Sequence, residues 1–267
     1  MNLFRRYSHN PQIVKFRYKR VKNNIYKNIN KIIEDNPVTI KLKDIHYDLL
    51  SPEEIPTLLK NIETPFKYNE DINKTAYLNW RIDKHQNREE QFATLGASYL
   101  EFAYNNIQIC LQDNYDKKAD AWIFPILFCI MQGIELYLKA INSELRAVLQ
   151  KEGKISDGGH NLGLICNTSI ALIKEAFEKA SRQDKEVNDS IRIINNIVSN
   201  IEEKTKDMTF ARYPSDKKDK EQFYIKNRQN EVVDLELLLK QVHTMYHLLD
   251  FIYTESKSTP QKTNKKI

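Results

Sequence analysis

Glycine and proline are scarce in this chain, six and eight residues out of 267. An all-β fold uses such residues at its many turns, so their scarcity, beside a charged fraction of 29%, predicts a mainly α protein rich in helix formers. Cysteine is scarcer still. Cys110, Cys129 and Cys166 are odd in number, lie among apolar neighbours and lack metal-ligand spacing, which predicts buried, reduced thiols in a cytoplasmic setting. No apolar stretch follows the basic start MNLFRRYSHN, so a secretory signal is not expected. The sequence also lacks G-x-x-x-x-G-K-[ST], G-x-G-x-x-G, H-E-x-x-H and G-x-S-x-G, so no cofactor and no metal is expected.

Long apolar runs are missing too, with one exception. Residues 122–141, WIFPILFCIMQGIELYLKAI, form the greasiest passage of an otherwise charged sequence. A membrane span needs about 20 apolar residues, and here Gln132, Glu135 and Lys139 interrupt the run, which predicts the central helix of a bundle rather than a span.

Positive charge is concentrated at one end. Residues 1–36 hold nine Lys or Arg against two acids, whereas the rest holds 32 against 34. Within that segment Val14, Val21, Ile25, Ile29, Ile32 and Ile33 recur at helical spacing among Lys15, Arg17, Lys19, Arg20, Lys22 and Lys27. The result is a basic amphipathic helix over about 12–34. Its charges serve as a solvated face or, since Phe16 and Tyr18 interleave the cations, as an arm for phosphates and bases. Val38, Ile40 and Leu42 then alternate as in a short strand, and Ser51-Pro52-Glu53-Glu54 opens a short helix over about 52–62. Residues 1–87 are therefore expected as a basic N-terminal α(+β) extension ending in a linker.

Helical periodicity returns at Arg88 and predicts an antiparallel bundle over 88–255. The first helix carries Phe92, Leu95, Tyr99, Phe102, Ala103, Ile107, Cys110 and Leu111 as its apolar side. The central helix spans about 119–150, with Pro125 marking its true start or a shallow kink. The loop KEGKISDGGH at 151–160 precedes a third helix over about 161–181 and a fourth over about 185–204. Residues 208–214 and 222–225 are aromatic and β-prone around a charged loop, which predicts a hairpin or flap. A last helix spans about 233–253, and the polar tail at 256–267 is expected to be disordered.

In the central helix Glu135 and Lys139 are four apart and can pair along one face, most simply as a salt bridge at the core edge. His160, just before the third helix, can seal its start or donate to a buried acceptor, more readily as a structural than a catalytic histidine. Glu135-Leu136-Tyr137-Leu138-Lys139 followed by Gly159-His160-Asn161-Leu162 resembles the E-x-x-L-K … G-H-x-L pattern of HEPN-like proteins, and Phe210-Ala211-Arg212-Tyr213-Pro214 is similar to a segment before their last helix. The resemblance covers about 88–255. It implies a helical bundle of prokaryotic toxin–antitoxin and phage-defence systems, a homodimer, a cognate operon partner protein and, in active branches, metal-independent RNA cleavage by R-x(4–6)-H. None of His9, His46, His85, His160, His243 and His247 has an arginine at that spacing.

Cleavage of RNA without metal needs a base for the 2′-hydroxyl and a cation for the phosphorane. His160 and Arg212 are the weak catalytic candidates, and Lys139, Tyr213, Lys15, Arg17, Lys19 and Arg20 the candidates for binding. Two readings stand at this point. One is a cytoplasmic stress- or defence-system protein that binds or acts on RNA or nucleotides; the other is an inert dimeric scaffold or antitoxin-like module with a nucleic-acid-contacting arm.

Overall fold

A computed structural model describes residues 65–78, 81–180, 185–205, 208–216, 218–226 and 231–258. The basic helix at 12–34, the strand at 38–42 and the helix at 52–62 lie outside the described residues, as does 259–267 of the tail expected to be disordered; its first residues, 256–258, instead continue the last helix, with Ser256 buried. The chain divides into two compact units, Met1–Ile72 and Asn73–Ile267. Within the described residues regular structure is helical: α1 (Arg88–Gln112), α2 (Lys118–Leu149), α3 (Leu162–Lys179), α4 (Lys185–Lys204), α5 (Phe223–Lys226) and α6 (Leu235–Ser258), with 3-10 turns at Ile72–Lys74 and Met208–Ala211.

Local chemistry places the helix ends. Asn87 caps α1, its side-chain oxygen accepting the Glu90 N–H at 2.7 Å. Ahead of α2, Lys117 adopts a left-handed conformation (φ 58°), and Asn114 Oδ1 accepts the Ala119 N–H at 2.9 Å. Pro125 sits inside α2 rather than at its start, which leaves the Ala121 carbonyl without its usual helical donor.

Helix α2 is the core of the second unit: every residue from Gly133 to Asn142 is buried. It packs against α1, α3 and α6, while α4 packs on α3 and α6. By length and composition α2 would pass for a membrane span, with mean hydropathy 1.7 over an 18-residue stretch, but more than half of that stretch is buried against other helices. Its first turns are wetter than their composition suggests, since Ala121 and Pro125 are exposed.

Three expectations need correction. The bundle is not antiparallel throughout. α1 opposes α2, as Ser143 meets Glu89 while Gly133 meets Gly96 and Leu100, and it opposes α6, as Glu90 meets Lys257 and Tyr104 meets His243. α3, however, runs in the sense of α2: Asn142 bonds Ile165 and Lys151 pairs with Glu175. The glycine-rich loop is long enough to double back from Gln150 to Lys139, about 16 Å along α2 at 1.5 Å per residue, because Gly153, Gly158 and Gly159 adopt positive φ.

On α1 the buried side is Ala93, Gly96, Leu100, Ala103, Ile107 and Cys110, and the expected Leu95, Phe102 and Leu111 are exposed. The helix carries apolar residues on two sides, and the close approach of α2 at Gly96 selects one of them. Leu164, in the first turn of α3, is exposed as well, while Leu162 and Ile165 are buried.

The third correction concerns the aromatic segment before α6. A single antiparallel bridge, Ser215 to Glu221, closes its charged loop. The flanks expected as strands instead form the 3-10 turn and α5. Phe210 is buried against Met131, and Tyr224 packs against Phe124 with tilted rings 5.0 Å apart while its hydroxyl donates to the Phe210 carbonyl at 3.1 Å. Packing on α2 thus overrides β propensity here.

Candidate functional site

Phe124, Phe128, Met131, Glu135 and Lys139 recur at spacings of four, three, four and four, so they form one stripe along α2. The aromatic segment covers the first part of this stripe and the doubled-back loop covers the second.

Glu135 is 1% exposed and Lys139 7%. Taking two charged groups out of water is costly unless they are paired and their remaining hydrogen-bonding capacity is used. Here most of it is used: Lys139 Nζ donates to Glu135 Oε1 at 2.8 Å and to the Gly159 carbonyl at 2.6 Å. The Glu135 carboxylate also accepts from His160 Nδ1, at 3.1 Å to Oε1 and 3.3 Å to Oε2. A carboxylate of α2 thereby ties together its own helix and the far end of the loop. The cap of α3 is Asn161, not His160: Asn161 Oδ1 accepts the Leu164 N–H at 2.8 Å. Beyond it, Glu202 of α4 accepts the Gly163 N–H at 2.9 Å, holding the start of α3 to the end of α4.

The His160 side chain is 77% exposed although its partner is buried. The imidazole is therefore presented to solvent with Nδ1 directed inward by a carboxylate, the orientation a histidine needs to exchange protons or donate to an anion. Lys139, in contrast, is enclosed and committed.

Arg212 occupies a different part of the stripe. Its guanidinium lies 5.7 Å from the Phe128 ring centre and 5.1 Å from that of Tyr213, and it donates to the Tyr213 hydroxyl at 3.2 Å. Arg212 and Tyr213 are both exposed. Their anchor, Phe128, is seven residues from Glu135, about 10 Å along the helix axis. Glu135, Lys139 and His160 thus meet directly, Arg212 and Tyr213 form a second pair along the same stripe, and Lys15, Arg17, Lys19 and Arg20 lie outside the described residues.

Other polar groups escaped the sequence reading. Tyr137, buried in α2, donates to Asp250 of α6 at 3.4 Å. Burial raises the Tyr137 hydroxyl pKa, and burial also raises that of Asp250, against the lowering effects of Tyr137 and His247. Although Asp250 as a residue is exposed, its carboxyl faces this inner tyrosine. Glu144 is raised by burial first and then by Glu89, and its Oε1 has no hydrogen-bond partner. His243 and His247 approach each other on α6 with their Nε2 atoms 3.1 Å apart. Only this last pair left a trace in sequence, as H-T-M-Y-H.

The fold and site define a helical-bundle protein with an internal carboxylate–ammonium–imidazole tie. No family model, no curated protein and no solved structure matches the chain.

Proposed function

We propose that this chain is a HEPN-like bundle protein of a prokaryotic stress or phage-defence system, cytoplasmic and homodimeric, which binds RNA without cleaving it. The observation that supports this most is the division of labour among its cations. Lys139 spends two of its three donors on Glu135 and Gly159, while Arg212, Tyr213 and His160 present a guanidinium, a ring and an imidazole to solvent along one stripe of α2. Exposed arginine and aromatic side chains suit phosphates and unstacked bases. The N-terminal cluster Lys15, Arg17, Lys19 and Arg20 adds attraction for the same polyanion.

The test is fluorescence anisotropy of the full chain with a labelled single-stranded RNA. Removing Arg212 and Tyr213 together weakens binding about tenfold, which is about 1.4 kcal/mol. Replacing the four basic residues of the arm weakens it further and flattens its salt dependence. The wild type leaves the RNA intact; cleavage that His160→Ala abolishes would replace this reading with an enzymatic one.

A second reading, an inert scaffold or antitoxin-like partner, is favoured by the buried Glu135–Lys139 pair, which acts as a latch between loop and helix. On that reading Arg212 and Tyr213 do not affect RNA binding, the basic arm alone contacts nucleic acid, and the chain associates with the protein encoded beside it.

A further inference from the structure

The two histidines of α6 are arranged in a way that the RNA reading does not use. His243 and His247 are four residues apart on one side of a helix that is anchored through Val242, Met245, Leu249 and Ile252. Their rings are 4.3 Å apart between centres, and the two Nε2 atoms face each other at 3.1 Å. Each ring also packs against an aromatic neighbour, His243 on Tyr104 of α1 at 5.9 Å and His247 on Tyr246 at 5.6 Å. The pair stands at the surface: His247 is exposed and His243 half-buried.

Two imidazoles in this position share at most one proton between the facing nitrogens. In the neutral pair the Nε2–H of one ring donates to the Nε2 lone pair of the other, an ordinary hydrogen bond. A metal ion can take the place of that shared proton, the ring that held it shifting to its Nδ1–H tautomer, and then accepts both lone pairs at once. Bonds of about 2.05 Å from zinc to nitrogen, at angles between cis-octahedral and tetrahedral, hold two ligand nitrogens about 2.9–3.4 Å apart. The observed separation falls inside that range without any change of helix geometry.

We propose that His243 and His247 form a bidentate surface site for a divalent transition-metal ion of the zinc, nickel or copper type. Imidazole nitrogen suits these ions, whereas magnesium and calcium prefer oxygen. Among the described residues no group of three or more His, Cys, Asp or Glu is placed to hold a metal ion, so water completes the coordination. The surroundings do not oppose a cation: Asp250 follows one turn later on α6, and Glu101 of α1, paired with Arg81, acts on the adjacent Tyr246. The rings are held before the ion arrives, which reduces the ordering cost of binding.

The experiment is calorimetric titration of the untagged full chain with zinc, beside copper titration followed by electron paramagnetic resonance. The wild type is expected to take up zinc at this site and to show two nitrogen ligands on copper. His243→Ala and His247→Ala each weaken that binding at least about tenfold, and His85→Ala, outside the pair, leaves it unchanged. His247→Gln, a polar replacement at an exposed position, repeats the measurement should an alanine variant lose helical circular dichroism. Zinc isotherms identical in wild type and in the folded His243 and His247 variants, or no zinc binding by the wild type, overturn the proposal.

Discussion

At the scale of single residues, Glu135 carries the greatest consequence for its size. Glu135→Gln removes the charge opposite an ammonium that is almost wholly buried, and loss of one partner of such a pair costs about 3–5 kcal/mol. Urea unfolding of the variant should read that loss, and the double replacement Glu135→Leu with Lys139→Met should recover most of it, because the desolvation cost disappears with both charges. His160→Ala, at a side chain 77% exposed, should cost no more than about 1 kcal/mol. Glu144 behaves in the opposite sense to a salt-bridged acid. Burial and then Glu89 raise its folded pKa, so the fold binds this proton more tightly than the unfolded chain does. Its contribution to stability is fully present below the ordinary carboxyl pKa of about 4 and is lost as pH rises through the folded value. Glu144→Gln should therefore raise the melting temperature at neutral pH, with the gain shrinking toward pH of about 4; a gain that grows on acidification would contradict the assignment.

At the scale of elements, the meeting of α1 and α2 depends on two glycines. A Cβ on Gly133 would lie 2.7 Å from Leu100 Cγ and 3.0 Å from the Gly96 carbonyl, and one on Gly96 would lie 3.0 Å from the Gly133 carbonyl. Backbone, unlike the tip of a side chain, cannot step aside at small cost, so Gly133→Ala should force the helices apart and lose about 1–3 kcal/mol. Chemical denaturation measures this, and an unchanged midpoint would mean that the helices slide without penalty. The same close approach explains why Leu100 is buried and Phe102 is not. A second element-scale feature is the loop over 151–160, which carries Gly159 and His160 back to the middle of α2 and so builds the tie around Glu135.

At the scale of the whole molecule, all three cysteines are buried, from α1, α2 and α3. Burial raises each thiol, and Cys166 is pushed up to about 12. The thiolate is the reactive species, so a thiol reagent at neutral pH should label none of them in the native protein at an appreciable rate and all of them in denaturant. Fast labelling of Cys166 before unfolding would show that the packing between α2 and α3 opens locally.

The positions of the five long helices were legible in the sequence, because apolar spacing of three and four residues is a local property, whereas the cap of α3 was not, since Asn161 rather than His160 supplies it. The pairing of Glu135 with Lys139, which the pitch of one helix dictates, was legible too. Tertiary structure decided the rest. The direction of α3 depends on how far the glycine-rich loop doubles back, the buried side of α1 on a glycine contact with another helix, and the helical form of the aromatic segment on rings finding Phe124 and Met131. His160 reaches Glu135 for the same reason, since no spacing rule joins residues 25 apart in sequence. The H-T-M-Y-H pair combines both kinds of information: its spacing is local, but its exposure and the ring of Tyr104 that orients it come from the packing of α6 on α1.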